Sequence, residues 1–125
     1  MTSMEINKDK LLQIWQQGRS VKGFDDKMFR KDACGAWIVW NKYGLSDNDY
    51  GWVVDHIVPV SMGGDDDMEN LRPIHILNSI SKRDDYPSYV SVVTSNGADN
   101  VKRTKVLKVN RTKRNKLEKK YKIDL

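Results

Sequence analysis

Residues 52–82 read WVVDHIVPVSMGGDDDMENLRPIHILNSISK, and the rest of the chain is read outward from them. The stretch opens on an apolar run, Tyr50 to Val54, that delivers Asp55 and His56 at a strand end. Pro59 stops any continuation of that strand. Ser61 to Glu69, with Gly63-Gly64 and Asp65-Asp66-Asp67, has the composition of a loop. Leu71 to Ile74 can form a short strand that Pro73 confines to an edge. From about His75 to Arg83 the pattern turns helical. Ile76, Leu77 and Ile80 fall on one side, His75, Ser79 and Lys82 on another, with Asn78 adjacent.

Hydrolysing a phosphodiester requires a group to take a proton from water, an offset for the phosphate charge, and stabilisation of the departing oxygen. A histidine suits the first task and a hard divalent ion held by oxygen ligands suits the other two. Asp55 and His56 are neighbours in a strand, so their side chains point to opposite faces. The natural division has Asp55 holding an ion and His56 facing the attacking water. A second ligand then comes from the helix carrying Asn78 and Ser79, and Asn70 can fix the orientation of His56. The Asp65–Asp67 run lacks the spacing of a calcium loop and reads as a solvated turn.

Outside this stretch, Ile6 to Gln17 has apolar residues near helical spacing, with Gly18 as a stop. Residues 19–31 read as loop with a short helix around Asp25–Lys31. Ala36 to Trp40 reads as a buried strand forming a hairpin with Tyr50–Val54. Tyr89–Thr94 and Val101–Val109, joined by a turn at Asn96-Gly97, read as a second hairpin. Asn110 to Ile123 can form a short basic helix or fray. Trp15, Trp37, Trp40 and Trp52 read as core, and Cys34, the one cysteine, as a buried, inert thiol.

The net charge of +5 is unevenly distributed. From Val101 onward, eleven lysines and arginines face Glu118 and Asp124, giving +9, while residues 1–100 carry −4. A basic end on a mildly acidic body is the footprint of a polyanion partner. The start of the chain lacks a basic-then-apolar leader, and no run is long enough to span a membrane. A reducing, cytoplasmic interior without membrane association is therefore the expected setting.

The central stretch resembles the HNH endonuclease family, whose ββα-metal finger follows DHI-x-P-x-x-x-GG-x-D, then NL, then N-x-x-K. This chain supplies DHIVPVSMGGDD, NLRPI and NSISK. The resemblance implies an α+β fold, a small domain built around the finger with flanking hairpins and helices. Residues 1–100 would be the nuclease domain, with its finger core at 51–83, and 101–125 a continuous basic strand/helix segment. It also implies a metal-dependent endonuclease acting on double-stranded DNA, with Mg²⁺ or Mn²⁺ as the ion. His56 would be the general base, Asp55 a metal ligand, and Asn70 the residue that orients the base. Lys82 and Arg83 would approach the phosphate backbone, joined by Lys102, Arg103, Arg111, Lys113 and Arg114 of the basic segment. A monomer would nick, and a homodimer would break both strands. The paired Cys-x-x-Cys motifs of zinc-bearing members are missing, since their downstream positions hold His75 and Asn78, so no structural zinc is expected. The usual second-ligand position holds Ser79, with Asn78 one place earlier. That departure keeps open an alternative, a catalytically weakened nucleic-acid-binding protein on the same scaffold.

Overall fold

The computed structural model describes residues 6–124, so the first five of the N-terminal residues read for a leader fall outside it. Helix α1, Lys8–Trp15, is capped by Asn7, whose side chain accepts from the Lys10 amide at 2.8 Å. Three two-stranded antiparallel sheets follow: β1 (Phe29–Lys31) with β2 (Trp37–Val39), β3 (Trp52–His56) with β4 (Leu71–His75), and β5 (Ser88–Asn96) with β6 (Asp99–Lys108). Helix α2, Ile76–Lys82, continues directly from β4, and α3, Arg111–Tyr121, follows β6. This is an α+β arrangement in which β3, β4 and α2 form a ββα finger.

Two expectations need correcting. Phe29–Lys31 is a strand, not part of a helix, and β2 pairs with it rather than with β3. The finger's hairpin is β3–β4, in the register Trp52↔His75 and Asp55↔Arg72. What ties β2 to β3 is the Trp52 indole, which donates to Val39 O at 2.9 Å. The distal hairpin forms as its turn signal suggests, with Asn96 opposite Asp99 and Gly97 at φ 62°. The basic terminal segment is a formed helix, capped by Asn110 and anchored by buried Leu117.

The apolar core has two parts. Trp15, Ile38 and Trp52 form one, with Trp40 packed against it and the Trp15 and Trp52 ring centroids 5.1 Å apart. The other joins Ile57 and Val58, just past His56, to Cys34, Tyr89, Val109 and Leu117. The finger is thus held from both sides, and the loop after His56 is clamped at its root.

Candidate active site

Strand alternation separates the two residues that open the motif. Asp55 turns inward, where Arg72 Nε donates to its Oδ2 at 2.8 Å and Lys82 Nζ lies 3.4 Å from its Oδ1. All three side chains are nearly fully buried, and both cations lie over the Tyr89 ring. Burial opposes the Arg72 charge, but the Asp55 carboxylate and Tyr89 together outweigh it and hold the guanidinium above its ordinary range. Burial pushes the Lys82 amine down, and Asp55 offsets only part of that shift. Lys82 also donates to the His56 carbonyl at 3.1 Å, tying α2 to the end of β3.

His56 faces the other way, with its side chain 24 % exposed. Its Nε2 lies 2.7 Å from Oδ1 of Asp66, in the loop joining β3 to β4. That loop is shaped by Asn70, which is completely buried. Its Oδ1 accepts from the Val58 amide at 2.8 Å, and its Nδ2 donates to Val58 O and Asp65 O, both at 3.0 Å. The loop passes so close at Gly64 that an added Cβ would stand 1.9 Å from Val58 O. Among the described residues the Asn70 side chain makes no hydrogen bond to His56; it pins the loop backbone on either side of it.

The helix positions resolve differently from expectation. Leu77 and Ile80, on the apolar side of α2, are exposed, while Asn78 and Lys82 turn inward. The Asn78 amide is fully occupied as a staple. Its Oδ1 accepts from the Val92 and Val93 amides, both at 2.9 Å, and its Nδ2 donates to Val93 O at 2.9 Å and Asp32 Oδ2 at 3.1 Å. As placed, Asn78 has no oxygen free for an ion. His75 is the α2 N-cap, accepting from Leu77 N at Nδ1 while Nε2 meets Asp49 O at 2.8 Å, so neither nitrogen is free. Ser79 remains, half-buried, one residue from the staple.

Among the described residues no group of three or more His, Cys, Asp or Glu side chains could hold a metal. Asp55 carries two cations, Asn78 is occupied, and a lone serine hydroxyl is a weak ligand. The donor set therefore does not fit a divalent ion in this arrangement. Lys82, expected at the phosphate backbone, is instead buried. Arg83, Lys102, Arg103 and Arg111 are exposed, whereas Lys113 and Arg114 are partly buried. Burial pushes the Lys113 amine down, and Arg114 pairs with Glu118 at 3.3 Å.

Two residues escaped sequence reasoning, and a third, Asp66, fills the last place of the GG-x-D pattern but was read only as part of a solvated turn. Arg72 sits opposite Asp55 only once the β3–β4 register is known. Asp32 accepts four hydrogen bonds, from the Cys34, Ala36 and His75 amides and from Asn78, so it fastens the β1–β2 turn to the finger. No local signal marks it.

Residues 34–76 match the family model described as HNH endonuclease. No curated protein and no solved structure matches the chain. The matched segment contains Asp55, His56, Asp66 and Asn70 and ends at the first residue of α2, before Asn78, Ser79 and Lys82.

Proposed function

We propose that the protein, whose residues 34–76 match the HNH endonuclease family model, hydrolyses phosphodiester bonds in double-stranded DNA. The observation that carries this reading is His56, partly exposed at the end of a finger strand with its ring held at Nε2. A water proton passes to His56 and the hydroxide attacks phosphorus. The P–O3′ bond breaks, and the 3′ oxygen leaves and takes a proton from solvent, with the phosphate retained on the 5′ side. The family's chemistry calls for a divalent ion, proposed as Mg²⁺ or Mn²⁺, which Asp55 and Ser79 would hold only in an arrangement other than the present one. For Asp55 to serve, it would have to leave Arg72 or Lys82.

Arg83, Lys102, Arg103 and Arg111 supply exposed positive charge for the DNA backbone, with Lys113 and Arg114 behind them. Such contacts weaken steeply with added salt. A monomer nicks, and a homodimer would bring two fingers to opposite strands. A second reading is favoured by the doubly paired Asp55 and the occupied Asn78: a finger that binds nucleic acid and no longer cuts it.

Supercoiled plasmid incubated with Mg²⁺ or Mn²⁺, with EDTA and His56→Ala as controls, separates the two. Metal-dependent nicking that is lost in the variant supports hydrolysis. A salt-sensitive gel shift without nicking supports the binding module. DNA neither cut nor shifted at low salt defeats both.

A further inference from the structure

We propose that Asp66 is the positioning residue for His56, holding the imidazole by Nε2 so that Nδ1 takes the water proton. The proposal rests on reading His56 as the base. A carboxylate only accepts, so at 2.7 Å it fixes the proton on Nε2 and leaves the Nδ1 lone pair free. Among the described residues Nδ1 has no hydrogen-bond partner. As Nδ1 gains a proton the ring becomes cationic, and the carboxylate beside it stabilises that charge without moving.

The run of three aspartates is divided by what each one faces. Asp65 Oδ1 accepts from the Tyr121 hydroxyl at 2.5 Å and from the Asp67 amide at 3.0 Å. Asp67 accepts from the Glu69 amide at 2.9 Å and meets Lys120 at 3.2 Å. Asp66 alone of the three turns to His56. Its flanking residues are tied down by α3 and by Asn70, so the carboxylate is presented by a fixed backbone rather than a loose turn.

The test compares Asp66→Ala, Asp66→Asn and Asp66→Glu with the unaltered protein. Plasmid nicking in Mg²⁺ or Mn²⁺ is followed alongside long-range ¹H–¹⁵N spectra of the His56 ring. Asp66 is largely exposed, so the variants are expected to keep the urea midpoint of the parent. Asp66→Ala should lower kcat by on the order of 10- to 100-fold with KM unchanged. Asp66→Asn should fall between, because its amide oxygen can still accept from Nε2, and Asp66→Glu should recover part of the rate. The spectra should show an Nε2–H tautomer in the parent and a mixture in Asp66→Ala. A parent ring protonated at Nδ1 instead, or Asp66→Ala nicking at the parental rate, would overturn the proposal. A parent that does not nick under any condition defeats the reading of His56 as base instead.

Discussion

Asn78→Ala removes one buried amide that makes four hydrogen bonds across three elements. Val92 N, Val93 N and Val93 O each lose a partner, and Asp32 Oδ2 keeps only the His75 amide. A buried polar group left unpaired costs about 1–3 kcal/mol. Three such groups would sum to about 3–9 kcal/mol if nothing relaxed, but water entering the vacated volume recovers part of it. The expected loss is therefore about 3–5 kcal/mol, a large share of the ~5–15 kcal/mol by which a domain is stable. In urea, with a slope of about 1–3 kcal/mol per molar, the midpoint should drop by at least ~1 M.

Asn78→Asp sharpens the distinction between staple and metal ligand. The substitution puts an acceptor where Nδ2 now donates, against Asp32 Oδ2 at 3.1 Å and Val93 O at 2.9 Å. As a staple residue it should destabilise at least as much as alanine. As a ligand it should instead tighten divalent-ion binding. Urea titrations with and without Mn²⁺ decide this: a midpoint within ~0.3 M of the parent for either variant would refute the assignment of Asn78 as a structural pin.

The buried charges on α2 and β3–β4 predict an asymmetry. Lys82→Met leaves a neutral Asp55–Arg72 pair and should cost less than about 2 kcal/mol, whereas Asp55→Ala strands two buried cations and should cost about 3–5 kcal/mol. The reverse order in urea unfolding would contradict the arrangement. The clamp from α3 predicts that Tyr121→Phe speeds amide exchange at Asp67 and Glu69 in the loop. The Tyr121 hydroxyl holds the Asp65 carboxyl below its ordinary 3.8, and the Glu69 amide does the same for Asp67. The clamp's contribution is therefore complete above pH 3.8 and disappears as pH falls through the lower folded values, so protection factors, which correct for base-catalysed intrinsic exchange, should be the same at pH 5 and pH 7. Burial, and then the Asp32 charge, push the Cys34 thiol up to about 12 from 9.0. Disulfide-exchange labelling at pH 8 should accordingly be slow in the folded protein and rapid in denaturant, and the thiol's contribution to stability should fade as pH rises from 9.0 towards 12.

What could be read from the sequence was whatever a short window encodes. The adjacent Asp55 and His56 and the glycine pair need no long-range partner to be recognised, and neither do the Asn70-Leu71 re-entry or the distal turn. What failed depended on tertiary context. Phe29–Lys31 has three residues of mixed polarity and no period, so nothing announces it as the partner of β2. The α2 pattern invites burial of Leu77 and Ile80, yet the inward side holds Asn78 and Lys82. Hydrogen bonds to β5 and a buried carboxylate favour that side, and periodicity counts neither. Within the candidate site, the division of Asp55 from His56 follows from strand geometry alone. The cations that neutralise Asp55 come from residues 17 and 27 positions further on, and only the fold brings them there.

Three aspartates beside a base are a liability for any site that must admit a phosphate, because like charges repel at short range. The structure answers that charge from α3: Lys120 meets Asp67 at 3.2 Å, Lys116 meets Glu69 at 3.7 Å, and the Tyr121 hydroxyl binds Asp65. These pairs are exposed, so their value for stability is small. Their effect on local potential does not depend on that value, since Lys120 near Asp67 and Lys116 near Glu69 weaken those fields whether or not the pairs add to folding. Part of the +9 counted beyond residue 100 thus balances the loop, and Arg114 is further paired with Glu118. The charge left for a polyanion lies mainly on β6 and the start of α3, at Lys102, Arg103, Lys105, Lys108 and Arg111. Neutralising two of those five, Lys102 and Arg103, should flatten the salt dependence of DNA binding more than neutralising the two paired lysines, Lys116 and Lys120. Equal effects from the two sets would mean that α3 does not hold the loop in solution.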